Sequence, residues 1–173
     1  LLITQNVDGL HLRAGNTRER TYQIHGNLDF MRCSRECLPG PVPVPEGIDV
    51  RWEKGRGLTD QERALLRCPE CGAPGRPHVL WFDESYDEEN FRFQSSIEAA
   101  RLASLVIVIG TTGATSLPMH VGTMASPRGI PIVVVNPEPN PFSNLVQRTG
   151  RGAFLEGTAG EWVPQLVDAL PAR

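Results

Sequence analysis

The chain has 173 residues, 40% hydrophobic and 21% charged, which is the size and composition of one globular domain and excludes a disordered tail or a collagen-like repeat. A net charge of -3 argues against a protein that lives on nucleic-acid phosphates or an anionic membrane, because both call for a positive field. No apolar run approaches the roughly 20 residues that cross a bilayer, and no basic-then-apolar signal opens the chain, so a soluble, cytoplasmic protein is expected.

The first element is the apolar run Leu1-Leu2-Ile3-Thr4. It has no initiator Met and no turn before it, so the sequence reads as opening inside a strand, with its N-terminus lost or cut away. Gln5-Asn6-Val7-Asp8-Gly9 follows, a polar stretch after the strand. His25 comes next in Gln23-Ile24-His25-Gly26-Asn27, where it can serve as a general base at a strand end or sit as a structural histidine; local sequence leaves both open. His11, His78 and His120 read as structural.

All four cysteines fall between residues 33 and 71, in two close pairs, Cys33/Cys37 and Cys68/Cys71. Such pairs suit a tetrahedral four-cysteine zinc site, because each tight turn supplies two thiolates and the ion joins two distant turns. Two disulfides or four unrelated thiols are the alternatives, and a reducing cytosol disfavours the first. Four thiolates close the coordination sphere, so the ion is expected to be structural. Between the pairs, Pro39, Pro41, Pro43 and Pro45 exclude a helix or a central strand, and Leu58 to Leu66 reads as a short helix capped by Thr59 or Asp60. With so few apolar residues this lobe needs the ion to hold together.

Beyond it, Glu88 to Ala103 has helical spacing, and Ser104 to Ile109 is a second apolar β-branched run. A short helix is expected from about Leu117 to Ala125, a third strand over Ile130 to Val135, and a helix over Ala159 to Leu170. The three runs do not alternate, which suits strands buried on both faces of a parallel sheet. Alternating strand and helix gives an α/β open sheet, in which ligands bind beyond the carboxyl ends of the strands. Polar residues gather there, at Gln5 to Gly9, Gly110 to Ser116 and Asn136 to Glu138, as a nucleotide or cofactor site requires.

Thr4-Gln5-Asn6-Val7-Asp8-Gly9-Leu10-His11, Ile24-His25-Gly26, the two cysteine pairs, Arg76-Pro77-His78-Val79-Leu80-Trp81-Phe82, Gly110-Thr111-Thr112 and Asn136-Pro137-Glu138 follow one another in an order that resembles the sirtuins over essentially the whole chain. The resemblance implies an NAD-dependent protein-lysine deacylase with a Rossmann-like, mostly parallel sheet and a small zinc lobe. It implies a division into a zinc lobe of residues 28–77 set into an NAD-binding domain of residues 1–27 and 78–173. By the same resemblance His25 is the general base that takes a ribose hydroxyl proton, after the acyl-lysine oxygen has attacked C1′ of the nicotinamide ribose and nicotinamide has left. Gln5, Asn6, Val7 and Asp8 match the residues around the ribose and carboxamide; Gly110, Thr111 and Thr112 match the adenosine side. Asn136, Pro137 and Glu138 match the grip on the adenosine ribose, and Ala159 lies in the segment near adenine. Val79, Leu80, Trp81 and Phe82 match the strand that pairs with the acyl-lysine peptide.

The sequence departs from the family pattern at four places. Asp83 stands where Gly is usual, the first cysteine pair is one residue longer than common, and Thr112 replaces Ser. The Gly-Ala-Gly loop that cradles the NAD phosphates in sirtuins has no match here and would normally precede Leu1, so the chain is expected to bind zinc but to hold NAD weakly and turn over slowly or not at all. Mono-ADP-ribosyl transfer and a non-catalytic zinc-containing interaction module are the competing readings. No nucleic-acid or membrane partner and a monomeric state are expected.

Overall fold

The computed structural model describes residues 1–48, 55–114, 119–121, 124 and 127–170. They fall into two compact units, Leu1–Gln94 and Ser95–Arg173.

In the first unit, β1 (Leu2–Thr4) pairs in parallel with β2 (Thr21–Gln23), Leu2 opposite Thr21 and Thr4 opposite Gln23. The connection between them holds α1 (Leu10–Arg13) and a 3-10 turn over Arg18–Arg20. A second sheet is antiparallel. Its centre is β3 (Gly26–Cys33), flanked by β4 (Val42–Pro43) and β5 (Gly75–Val79). Within the proline run β4 is an edge strand, where a missing N–H is tolerated. Pro77 sits in β5 where the register with β3 shifts between Asn27 and Met31, again a position that does not need its donor. The expected short helix is α2 (Asp60–Leu65), and Thr59 is its cap: its hydroxyl accepts from the Glu62 amide while the Glu62 carboxylate accepts from the Thr59 amide.

Residues 88–103 form two helices instead of the one expected from their spacing, α3 (Glu88–Phe91) and α4 (Phe93–Leu102). Arg92 between them adopts the left-handed conformation, with φ of 54°. Asp87 explains the early start and stop, since its side chain caps the Asn90 amide and its carbonyl accepts from the Phe93 amide.

The second unit contains a parallel sheet in the order β6 (Val106–Ile109), β7 (Ile132–Asn136), β8 (Gly152–Glu156). Helix α5 (Pro141–Thr149) joins β7 to β8, and α6 (Ala159–Ala169) follows β8. Ile130, Ile132, Val134, Phe142 and Val146 make the core, with Val106, Val108 and Phe154 packed against it. Burial on both faces holds for β7, where Ile132, Val134 and Val135 are all buried. It does not hold for β6, where Ile107 and Ile109 are 37% and 42% exposed. The reason is position: β6 lies at the edge of its sheet and only its Val106 and Val108 side meets the core. The helix expected from Leu117 to Ala125 falls largely outside the described residues, as do Thr115 and Ser116.

One close approach governs the first unit. Gly26 has φ of +87°, and a Cβ there would stand 1.9 Å from the His78 carbonyl oxygen, backbone against backbone. Gly15, with φ of +94°, has open space around its absent Cβ. Gly26→Ala is therefore expected to lower the urea midpoint far more than Gly15→Ala, whose cost is the left-handed penalty alone, about 1 kcal/mol. Equal midpoints would show that β3 and β5 can separate freely.

Candidate active site and metal centre

The four cysteine sulfurs lie within 4.8 Å of one another. Cys37 Sγ is 3.5 Å from Cys33, 3.4 Å from Cys68 and 3.3 Å from Cys71, and Cys33 is 3.5 Å from Cys71. No pair is bonded as a disulfide. A tetrahedral ion with Zn–S of about 2.3 Å holds its sulfurs roughly 3.8 Å apart, so the cluster fits zinc with minor expansion. The turns are built for thiolates: hydrogen bonds from the backbone of Cys37 foremost, and also of Arg35, draw the Cys33 thiol down to about 6. Crowding acts oppositely on Cys37, whose thiol is pushed up by its contacts with Cys71, Cys68 and Cys33. Only a cation lets all four ionise together, and its binding releases protons.

His25 occupies the turn between β2 and β3. Parallel pairing of β1 with β2 sends Gln5-Asn6-Val7-Asp8 and Ile24-His25 out of the same edge, and the Ile24 amide donates to the Thr4 carbonyl at 3.0 Å. Burial holds the imidazole below its ordinary pKa, opposed by a hydrogen bond to the Gln5 backbone. Its Nε2 lies 2.7 Å from the Tyr86 hydroxyl. The residues that follow β1 are pinned as well. The Asn6 amide donates to Thr4 Oγ1, the Val7 carbonyl accepts from the Leu28 amide, and Asp8 Oδ1 accepts from the Leu10 amide to start α1. The Asn6 and Asp8 side chains are exposed.

Directly beyond His25 runs the segment expected to meet a peptide. Val79 ends β5 opposite Gly26, and the Leu80 amide donates to the His25 carbonyl at 3.0 Å. Trp81 and Phe82 are exposed, Phe82 completely. Glu84 shapes this turn: its carboxylate accepts from the Trp81 amide at 3.0 Å and from Arg32 Nη2 at 2.9 and 3.1 Å, and it also takes a hydrogen bond from Arg76. The turn is thus tied to β3 through Arg32 and to β5 through Arg76. Asp83 is exposed and is not among the residues of positive φ, so the turn does not require a glycine there.

In the second unit, parallel pairing brings three polar segments to one edge. Ile109 lies opposite Val135 and Asn136 opposite Glu156, so Gly110-Thr111-Thr112, Asn136-Pro137-Glu138 and Gly157-Thr158-Ala159 leave the sheet together. The Thr111 carbonyl accepts from Asn140 Nδ2 at 2.9 Å and its hydroxyl accepts from the Gly113 amide, while Asn136 Nδ2 donates to the Glu138 carbonyl at 2.7 Å. Thr112, Pro137, Glu138 and Ala159 are exposed. An edge of this kind, lined by amides, hydroxyls and a carboxylate, suits the adenosine half of a dinucleotide.

A family model described as the Sir2 family matches residues 1–116. The chain belongs to the Sir2 family. It is 35% identical over 167 residues to a protein of Leptospira interrogans named NAD-dependent protein deacylase, covering 96% of this chain and 58% of that protein. A Pyrococcus furiosus protein of the same name is 33% identical over 173 residues, with 98% and 60% covered. Among solved structures, a Sir2 homolog–NAD complex superimposes with a TM-score of 0.74 at 27% identity, covering 97% of this chain and 57% of the other. A Sir2 homologue variant in complex with 2′-O-acetyl ADP ribose gives 0.73 at 26%, covering 99% and 62%. This Sir2 chain thus spans about three-fifths of the length of the curated relatives it matches.

Two residues of this Sir2 chain escaped the sequence reading. Neither Glu84 nor Tyr86 lies in any of the motifs that carry the resemblance. Both act through contacts with residues more than fifty positions away, Arg32 and His25, and a local pattern carries no trace of those. For the metal centre, Cys68→Ser is expected to lower bound zinc from about one ion per chain to near zero and to lower the melting temperature, read by metal analysis and thermal melting. Full zinc content in that variant would mean that three sulfurs suffice.

Proposed function

We propose that the protein carrying this chain removes acyl groups from protein lysines at the expense of NAD, with His25 as its general base. The observation that carries this reading is the placement of His25 at the same strand edge as Gln5-Asn6-Val7-Asp8, half-buried, hydrogen-bonded to the Gln5 backbone and accepting the Leu80 amide at its own carbonyl. NAD, when bound, supplies a ribose C1′ with nicotinamide as its leaving group. Gln5 to Asp8 would orient the nicotinamide ribose, and Gly110, Thr111, Thr112, Asn136, Pro137, Glu138 and Ala159 would hold the adenosine half. Cys33, Cys37, Cys68 and Cys71 would carry one structural zinc, and residues 28–77 would form the lobe set into a nucleotide-binding domain of residues 1–27 and 78–173.

His25 Nε2 would take a ribose hydroxyl proton. An imidazole kept below its ordinary value of about 6.5 is neutral at pH 7 and has its lone pair available. Val79 to Phe82 would lie beside an extended acyl-lysine peptide, recognised mainly through its backbone. The exposed Asp83 carboxylate favours peptides with basic neighbours, because the Glu84 charge is already matched by Arg32 and Arg76. Among the described residues no helix is long and apolar enough to cross a membrane. A monomer in the cytoplasm, with no nucleic-acid partner, completes the proposal.

His25→Ala should lower NAD-dependent release of nicotinamide and of free lysine from an acyl-lysine peptide by about 10²- to 10⁴-fold. Free lysine with O-acyl-ADP-ribose, read by mass, supports deacylation. A protein that gains ADP-ribose supports transfer, and zinc-loaded protein with no nicotinamide release supports an interaction module. Since the base works deprotonated and its pKa is depressed, kcat/KM should stay flat down to about pH 6.5 and fall only below it. A decline already under way at pH 7.5 would contradict the role given to His25. Glu84→Ala should raise the KM for peptide by about tenfold, the order expected for losing charge-assisted hydrogen bonds, with zinc content unchanged.

A further inference from the structure

Tyr86 stands between two fixed points of the chain. Two residues before it, the Glu84 carboxylate is held by Arg32 and Arg76; one residue after it, Asp87 caps α3 at Asn90. Its ring stacks on His25 with centroids 5.9 Å apart and on Phe93 at 6.0 Å. Its hydroxyl is 2.7 Å from His25 Nε2. Half-burial raises its own pKa above 10, so it stays a hydroxyl at neutral pH and keeps a proton to donate.

The other partner of the imidazole is the Gln5 backbone, in a hydrogen bond that favours the protonated ring. A backbone group with that effect is a carbonyl accepting a ring N–H. One ring nitrogen therefore carries a proton toward Gln5, and Nε2, with a hydroxyl already against it, carries the lone pair. We propose that Tyr86 is the positioning residue of His25: its hydroxyl and the Gln5 carbonyl together fix the imidazole plane and hold the neutral ring as the Nδ1–H tautomer, with the basic lone pair on Nε2. For Nε2 to take a ribose proton the Tyr86 O–H turns aside and frees the lone pair; the new ring N–H then donates to the Tyr86 oxygen, so the contact persists with its direction reversed. The base is thus served in both of its states by one residue, and neither state leaves a half-buried ring nitrogen without a partner.

The proposal rests on the reading of His25 as general base for its catalytic consequence, but its geometry can be tested without turnover. In the ¹⁵N-labelled, zinc-loaded protein without substrate, the neutral His25 ring should show an unprotonated Nε2 and a protonated Nδ1 in long-range ¹H–¹⁵N spectra. In Tyr86→Phe, Nε2 should move toward the value of an imidazole nitrogen with no hydrogen bond. Phe93→Leu, which trims the stack but keeps the hydroxyl, should leave the tautomer unchanged. A protonated Nε2 in the neutral wild-type ring, or a Tyr86→Phe spectrum identical to wild type, overturns the proposal. In turnover by the protein carrying the chain, Tyr86→Phe should lower kcat by about 3- to 10-fold, the worth of one hydrogen bond, with the peptide KM unchanged. If the Nε2 signal moves as expected while His25→Ala leaves turnover intact, the positioning role stands and the general-base reading falls. If His25→Ala abolishes turnover and Tyr86→Phe changes neither spectrum nor kcat, the reverse holds.

Discussion

Much of the first unit depends on the pairing of β3 with β5. The eight residues of β3 span roughly 25 Å. One end carries Cys33, paired with Gly75, which lies four residues after Cys71; the other begins at Gly26, paired with Val79, next to His25 and Leu80. The metal centre and the candidate base are therefore the two ends of one ladder. At the Cys33 end the order comes from four sulfurs that a cation can draw together. At the Gly26 end it comes from a backbone contact too close for any side chain, with the His78 carbonyl where a Cβ would be. An ion held at one end would constrain the register of β3 and β5, and register decides where the residues beyond each strand emerge.

The second unit solves a similar problem without a metal. Three parallel strands held in register by their hydrogen bonds deliver three loops to one edge, and the caps of the following helices fix those loops. Asn140 does both tasks. Its side-chain oxygen caps the Phe142 and Ser143 amides, and its amide nitrogen holds the Thr111 carbonyl, so the start of α5 and the loop after β6 are set by one buried residue. Thr158 likewise caps α6 through the Glu161 amide, immediately beside Ala159.

How much of this was legible in the sequence follows from how local each signal is. The cysteine pairs are local, and their meeting is the expected consequence of their chemistry. The apolar runs around Ile3, Val108 and Val134 are local too, and each contains a strand. Thr21–Gln23 and Gly152–Glu156 are strands with no such run; they exist because a parallel neighbour offers them partners. The break at Arg92 has neither Gly nor Pro to announce it, and depends on the Asp87 cap and a left-handed Arg. The Sir2 resemblance supplied roles for His25 and the strand-end residues that spacing alone left open. It supplied nothing for Glu84 and Tyr86, whose meaning lies in contacts across the fold.

The Trp81–Glu84 turn shows why a departure from a family pattern has to be judged in three dimensions. A glycine at position 83 serves either because the backbone needs its freedom or because a neighbour needs its space. The backbone of Asp83 needs no such freedom, since the turn closes through the Trp81 carbonyl and the Glu84 amide at 3.0 Å and through the Glu84 carboxylate on the Trp81 amide. Glu84 itself is locked by two arginines from the flanking strands. The shape of the turn is therefore set by residue 84, and residue 83 is left to decide only what projects from it. An aspartate there alters the charge presented at the turn while leaving intact the ladder and the Leu80 contact that hold His25 in place.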